Sequence, residues 1–260
     1  MKENIDNNED ENSQENQQSQ KSDTESDGQI IISKDDNEEK RRNIEIIPET
    51  SSKTDLSFKV IIIGDSNVGK SSLANKAVKN TFDTSYNTTL GFEYFSFFVK
   101  IDKKTLKLQI WDTCGQEVYQ SLIANFYRNS SLAIMVYGIN NRDSFEHIDN
   151  WLKEIKRSSN PDAKIIFIGN KSDLENEREV TYEEAEKYAE ELEFSKFYET
   201  SAKNGINTQG VFLEAANVLY NDYLEYNSMT HSSASDSQKE GQKLINNNQR
   251  NASQSKSFCC

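Results

Sequence analysis

Apolar runs and amphipathic stretches alternate along one continuous part of the chain, from Phe58 to Tyr226. Short runs rich in β-branched and aromatic residues predict buried strands. The predicted strands are Phe58–Gly64, Glu93–Ile101, Leu106–Trp111, Ser131–Tyr137, Lys164–Ile168 and Phe194–Glu199. Stretches with apolar residues three or four positions apart predict helices. The predicted helices are Ser71–Lys79, Ser144–Arg157, Thr181–Leu192 and Thr208–Tyr223.

This alternation of strands and helices predicts an α/β fold, with a mostly parallel sheet covered on both faces. The polar segment Asp102–Thr105, between the second and third strands, indicates a hairpin and therefore one antiparallel pair. Ligands of such folds bind at the carboxyl ends of the strands. Functional motifs are therefore expected to follow strands directly.

The two ends of the chain differ from this central part in composition. Residues 1–57 are mostly polar and carry 16 Asp and Glu against 7 Lys and Arg, which accounts for most of the net charge of −13. Residues 227–260 are polar and mildly basic. Neither end has enough apolar surface to offset the entropy of ordering, so we expect both to be disordered. Residues 58–226 have the size of a single domain.

Composition and patterning also argue against several classes of protein. The acidic balance, without a basic stripe, argues against nucleic-acid binding. No apolar run approaches the roughly 20 residues of a membrane span, and the start of the chain lacks the apolar region of a signal peptide. The three cysteines do not suggest a disulfide framework. We therefore expect a cytosolic protein.

The segment Gly64-Asp-Ser-Asn-Val-Gly-Lys-Ser71 fits the pattern G-x-x-x-x-G-K-[ST] between a predicted strand and a predicted helix, as this motif requires. Its backbone N–H groups are expected to surround a β-phosphate, and the helix N-terminus favours the anion. Lys70 is placed to span the β- and γ-phosphates, Ser71 to ligate Mg²⁺ and Ser72 to reach the α-phosphate. The nucleotide-binding residues predicted here are Asp65, Ser66, Asn67, Val68, Gly69, Lys70, Ser71 and Ser72.

A second motif, Asn170-Lys-Ser-Asp173, follows the fifth predicted strand. A carboxylate at Asp173 can accept two hydrogen bonds from guanine that adenine cannot donate, a mismatch that discriminates by roughly 10⁴–10⁵. Asn170 is expected to brace the loop, and the stem of Lys171 to lie against the base. The loop after the last strand supplies the remaining predicted base contacts, from Ser201, Ala202 and Lys203.

Two further segments are placed to sense a γ-phosphate. In Trp111-Asp-Thr-Cys-Gly-Gln-Glu117, Asp112 is expected to hold Mg²⁺, Gly115 to offer its N–H to the γ-phosphate and Gln116 to orient the attacking water. Upstream, Thr89 is expected to give its hydroxyl to Mg²⁺ and its N–H to the γ-phosphate. Phe82 is either an edge-on contact of the base or an aromatic residue of the core or of a loop. The predicted metal ligands are thus Ser71, Thr89 and Asp112.

The order GDSNVGKS, TTLG, WDTCGQE, NKSD and ETSAK resembles that of small GTPases of the Ras superfamily, and TTLGFEY, YRNSS and the terminal CC are similar to the Rab branch. The resemblance covers about Phe58–Tyr226 and the last two residues. It implies a P-loop NTPase fold with a six-stranded sheet and about five helices, GTP or GDP as bound nucleotide, and Mg²⁺ as cofactor. It also implies a role in vesicle traffic.

The resemblance further implies a monomeric switch that hydrolyses GTP slowly until a GTPase-activating protein (GAP) assists. Its other implied partners are a guanine nucleotide exchange factor, a GDP-dissociation inhibitor, the prenylation machinery and effectors. Three departures from the family pattern leave a different hypothesis open, a scaffold that holds nucleotide without efficient cycling: Cys114 replaces alanine, Val118 replaces arginine and Gly138 replaces aspartate. The match at Gln116 favours the switch, and the Asn170–Asp173 loop argues against an ATPase.

The terminal residues Cys259 and Cys260 resemble the Rab signal for double geranylgeranylation, which differs from the C-a-a-X form. Two lipid chains anchor a protein stably, whereas one does not. We therefore expect the switch on the cytosolic face of an intracellular membrane, with a soluble cytosolic pool. The two histidines, His147 and His231, are expected to be surface residues without ligand partners.

Overall fold

The β-branched run Val60–Ile63 lies in a central strand of one sheet in the computed structural model, which describes residues 42–49, 53–84, 89, 91–114 and 127–230. The strands are β1 Ile44–Ile46, β2 Leu56–Ile63, β3 Phe92–Ile101, β4 Lys104–Thr113, β5 Leu132–Gly138, β6 Lys164–Asn170 and β7 Lys196–Thr200. The helices are α1 Lys70–Lys79, α2 Arg142–Glu146, α3 Ile148–Ser158, α4 Tyr182–Glu191 and α5 over residues 208–230, with a 3₁₀ segment at Ser172–Glu177.

The strands follow the order β1-β3-β4-β2-β5-β6-β7 across the sheet. All neighbours from β4 to β7 are parallel, whereas β3 pairs antiparallel with β4 and with β1. The hairpin predicted at Asp102–Thr105 is the turn between β3 and β4. The α/β fold class is confirmed, although the sheet has seven strands where six were predicted.

Hydrophobic clusters cover both faces of the sheet, because side chains alternate along each strand. In β2, Val60 and Ile62 belong to the first hydrophobic cluster, on one face, and Ile61 and Ile63 to the second, on the other face. All four are fully buried. Burial on both faces explains why this parallel strand reads as an uninterrupted apolar run.

The extra strand β1 lies within residues 1–57, and the prediction of disorder is wrong for it. Ile44 and Ile46 pack against the first cluster, while Glu45 between them is exposed. The backbone pairs with the edge of β3, where Ile44 is opposite Ile101. Arg42 lies over the ring of Tyr220 in α5, 5.4 Å from its centroid. Two apolar side chains suffice here because the sheet edge already supplies the hydrogen-bond partners. Residues 1–41 lie outside the described residues.

Two predicted helical boundaries also differ from the structure. The predicted helix Ser144–Arg157 is divided into α2 and α3 at His147, and Asn141 caps α2 by accepting from the Ser144 N–H at 2.9 Å. Helix α5 continues to residue 230, past the expected domain boundary at 226. The helices that the structure describes include none long and apolar enough to cross a membrane.

Candidate functional site

A cavity of about 450 Å³ opens at the carboxyl ends of the parallel strands, where the fold class predicted a ligand. Thirteen of the predicted site residues line it, namely Ser66, Asn67, Gly69, Lys70, Ser71, Ser72, Phe82, Thr89, Asn170, Lys171, Asp173, Ala202 and Lys203. Segments that are up to 137 positions apart in the sequence thus meet around one space. Phe82 is one of them, which favours its interpretation as a site residue.

The loop between β2 and α1 needs glycine at both of its bends. Gly64 has a φ of 139°, and a Cβ there would lie 2.0 Å from the Val136 carbonyl oxygen. Gly69 has a φ of 94°, and a Cβ there would lie 2.3 Å from the Asn170 amide nitrogen. The chain can therefore enter α1 with its backbone facing the cavity, where the first N–H groups of the helix favour an anion.

Lys70 is held against the same loop. Its ammonium group donates to the carbonyl oxygens of Gly64, at 2.9 Å, and Asp65, at 2.6 Å. Burial lowers the pKa of the Lys70 ammonium to about 8, although Asp112 and Asp65 oppose this shift. A phosphate group in the cavity stabilises the charged form of such a lysine. The environment of Lys70 therefore fits an anionic ligand.

The three predicted metal ligands lie together beside the start of α1, next to Lys70. The hydroxyl groups of Ser71 and Thr89 are 2.7 Å apart, and the Ser71 hydroxyl donates to Oδ2 of Asp112. Asp112 is fully buried, and its Oδ1 has no hydrogen-bond partner within the described residues. Burial raises the pKa of Asp112 to about 6, while Ser71 and Lys70 lower it.

This donor set fits Mg²⁺, a hard cation that takes oxygen ligands and is commonly bound through only one or two carboxylates and the phosphates of a substrate. A cation beside Asp112 also offsets the cost of burying its charge. The described residues contain no group of three or more His, Cys, Asp or Glu side chains placed to hold a metal. Two hydroxyl groups and one carboxylate are consistent with that finding.

Asn170 connects the two ends of the cavity. Its amide nitrogen donates to the Val68 carbonyl at 2.8 Å, and its amide oxygen accepts from the Thr200 hydroxyl at 2.9 Å. The side chain is buried. The predicted brace is present, and it joins the loop Gly64–Ser71, called the phosphate loop from here on, to the ends of β6 and β7.

Asp173 is oriented by the loop that follows β7. Its Oδ1 accepts from the Ser201 hydroxyl at 2.6 Å, and its Oδ2 lies 3.8 Å from the Lys203 ammonium. Arg178 donates to both carboxylate oxygens of Glu199, at 2.6 and 2.8 Å, which connects the end of the 3₁₀ segment to β7. Because Ser201 and Lys203 hold the Asp173 carboxylate, it presents acceptors to the cavity in a fixed direction.

Some predicted residues are not on the wall of the cavity. Val68 and Ser201 are buried behind it, and Asp112 lies behind Ser71. The carboxylate of Asp65 contacts α3 and its N-cap His147 instead of the cavity. The predicted residues Gly115, Gln116, Cys259 and Cys260 lie outside the described part of the chain.

The cavity also has walls that the motifs did not predict, from Asp83, Thr84, Thr113 and Leu174. Each is within two positions of a predicted residue, and this adjacency was the only available signal. His147 is exposed, as predicted, and it also contacts a predicted site residue. Its Nδ1 lies 2.6 Å from Oδ2 of Asp65.

Two of the departures from the family pattern fit the structure without strain. Cys114 is buried in the second hydrophobic cluster, as a small apolar residue would be. Gly138 donates its N–H to the Ser144 hydroxyl at 3.1 Å. Val118 lies outside the described residues.

Comparison with known proteins agrees with this geometry. The model of a family described as the Ras family matches residues 59–221. The Ras-related protein RABA1b of Arabidopsis thaliana is 41% identical over 166 residues, which are 64% of this chain and 76% of that protein.

Proposed function

We propose, from the premise that this chain belongs to the Ras family and is a Rab-type small GTPase, that it is a membrane-anchored switch of vesicle traffic. Its GTPase activity and its use of GTP, GDP and Mg²⁺ follow from the family, and the prediction made from the motif order is confirmed. The assignment of individual residues, the lipid anchor and the cellular role are our proposals.

The observation that carries the residue assignment is the convergence of the motifs on one cavity. The phosphate end holds the buried Lys70 and the Ser71 hydroxyl, and the base end holds the Asp173 carboxylate. Asn170 connects the two ends through its hydrogen bond to Val68. One elongated nucleotide with a guanine at one end and phosphates at the other matches this arrangement.

Each residue then has a defined task in hydrolysis. The backbone N–H groups of residues 66–72 and the Lys70 ammonium bind the phosphates and stabilise the charge that develops on them. Ser71 and Thr89, together with Asp112, would hold Mg²⁺, which would neutralise phosphate charge. Gln116 orients the attacking water in line with the bond that breaks.

In our proposal, the residues of this chain alone hydrolyse GTP slowly. None of the residues that line the described part of the cavity is an arginine, and an arginine supplied in trans accelerates related enzymes by 10³–10⁵. We therefore assign the missing charge to a GAP. Loss of the γ-phosphate removes a contact of Thr89 and of Gly115, which changes the surface available to effectors.

An exposed aromatic surface is formed by residues that follow Thr89 and precede Asp112 in the chain. Phe92 and Tyr94 of β3 are 42% and 43% exposed, and their ring centroids lie 5.1 and 5.5 Å from that of Trp111 in β4. Exposed aromatic clusters mark sites of protein association. We assign this surface to effectors, and expect the exchange factor, GDP-dissociation inhibitor and GAP to contact the same end of a monomeric domain.

The terminal Cys259 and Cys260 are the proposed sites of prenylation. Helix α5 reaches residue 230, and 28 residues lie between it and Cys259. Such a tether allows the domain to sit away from the cytosolic face of an intracellular membrane, while the GDP-dissociation inhibitor maintains a soluble pool.

Single-turnover hydrolysis of bound GTP distinguishes a cycling switch from a scaffold that holds nucleotide without efficient cycling. We expect Gln116→Leu to retain GTP but to slow its hydrolysis by about tenfold or more, because the water loses its positioning group. Gln109→Leu, the same change at a half-buried position of β4, is the matched control. Equal rates in wild type and Gln116→Leu would support the scaffold. Failure to retain guanine nucleotide would reject both.

A further inference from the structure

The first side chain of the phosphate loop is held from outside the cavity. The Trp151 indole N–H donates to Oδ1 of Asp65 at 2.8 Å, and Nδ1 of His147 lies 2.6 Å from Oδ2. A carboxylate only accepts, so Nδ1 carries the hydrogen in this contact. Both oxygens of Asp65 are therefore engaged by donors that are more than 80 positions away in the sequence.

Neither donor is a freely moving surface side chain. Trp151 is buried in the second cluster. His147 joins α2 to α3: its N–H donates to the Asp143 carbonyl at 2.9 Å, and its carbonyl accepts from the N–H groups of Asn150 and Trp151. The imidazole is half exposed, but its backbone is fixed on both sides, so the Asp65 carboxylate has a defined position relative to α3.

The main chain of Asp65 links its fixed side chain to the cavity. Its carbonyl accepts from the Lys70 ammonium at 2.6 Å. It follows Gly64, which has no room for a side chain against Val136. Fixing residue 65 thus fixes the carbonyl that positions Lys70 and the start of the loop whose N–H groups face the phosphates. A loop that is already ordered costs less entropy when it binds its ligand.

We infer that His147 is a positioning residue which makes nucleotide retention weaker as pH rises above about 6.5. The inference rests on the proposed nucleotide-binding role of the loop. When the imidazole is protonated, its hydrogen bond to Asp65 becomes an ion pair and strengthens. When it is neutral, only the Trp151 contact and a weaker hydrogen bond remain.

The direction of the effect follows from the groups around His147. The hydrogen bond to Asp65 and the charge of Asp65 raise the pKa of His147 above its ordinary value of 6.5, Asp143 and Glu146 on α2 add to this, and partial burial opposes it. The extra contact is fully present below pH 6.5 and is lost as pH rises through the raised pKa. Release of GDP is therefore slower at pH 6 than at pH 8.

The test uses the full chain loaded with a fluorescent GDP analogue in the presence of Mg²⁺, chased with excess GDP at several values between pH 6 and pH 8. We expect the release rate of the wild type to rise about two- to fivefold over this range, the size of effect an exposed ion pair gives. His147→Asn keeps a donor but does not titrate, so it should lose this rise. Trp151→Phe should release faster at every pH and keep the rise.

His231→Asn removes the other histidine of the chain and is the matched control; it should behave as the wild type. Lys70 and Asp112 are unchanged in all of these variants, and bound phosphate and Mg²⁺ favour their charged forms, so they do not account for a difference between the variants. A rise in His147→Asn as large as in the wild type overturns the inference while leaving the proposed function intact. If no variant retains the analogue at pH 7, the proposed function itself fails.

Discussion

The buried amide of Asn170 donates a hydrogen bond of 2.8 Å to the carbonyl oxygen of Val68, 102 positions earlier in the chain. The same side chain accepts from the Thr200 hydroxyl. One residue therefore fixes the distance between the phosphate loop and the loops that face the base. A nucleotide has a fixed length, so this distance matters directly for its affinity.

We expect Asn170→Ala to weaken both stability and nucleotide binding. It leaves the Val68 carbonyl and the Thr200 hydroxyl without a partner in a buried setting, which costs about 1–3 kcal/mol of unfolding free energy. Thermal denaturation should show a melting temperature lower by several degrees, and equilibrium titration a weaker Kd for GDP. Asn150→Ala, at an exposed position of α3, should change neither. An unaltered Kd in Asn170→Ala would contradict the bracing role.

Asp173→Asn should reduce the preference of the site for GTP over ATP. The amide presents a donor where guanine also presents donors, so we expect the preference to fall by about 100-fold or more. The preference is measured by how well GTP and ATP each compete with a fluorescent GDP analogue for the site. Asp222→Asn removes an exposed carboxylate that pairs with Lys164 at 2.9 Å, and should leave the preference unchanged. A preference that survives Asp173→Asn would assign base selection to other residues.

The strand β1 should contribute to stability without affecting the site. Replacing Ile44 and Ile46 together by serine removes two half-buried apolar side chains from the sheet edge, and we expect a loss of about 1–3 kcal/mol of unfolding free energy. Urea unfolding measures it, and Glu45→Gln on the exposed face is the control. The Kd for GDP should stay constant, because β1 lies at the opposite edge of the sheet from β7. Unchanged unfolding would indicate that β1 makes no contribution.

Replacing Cys259 and Cys260 by serine should separate membrane attachment from nucleotide binding. Since two lipid chains are needed for stable anchoring, we expect the variant to move wholly to the soluble fraction of cells that prenylate the wild type. Cys114→Ser, at a buried cysteine, controls for the loss of a thiol elsewhere. GDP affinity should be the same in wild type and tail variant. Membrane fractionation that does not change would refute the proposed anchor.

Most of the fold and of the cavity wall was predictable because the signals are local. A short β-branched run such as Val60–Ile63 favours a strand buried on both faces, and the Gly64–Ser71 loop is recognisable from its spacing and its flanking elements. The predictions were wrong where contact with a distant part of the chain decided the local structure. The three-residue β1 is too short to predict alone, and it is a strand only because the edge of β3 lies beside it.

The sequence by itself determined the alternation of elements, the order of the motifs and the residue types at the phosphate and base ends, since each depends on neighbours within about ten positions. The tertiary structure decided which way the side chains point. Asp65 turns its carboxylate to His147 and Trp151 instead of to the cavity, and Asn170 engages Val68 and Thr200. These directions depend on partners brought together only by packing the sheet against its helices, so no local pattern encodes them.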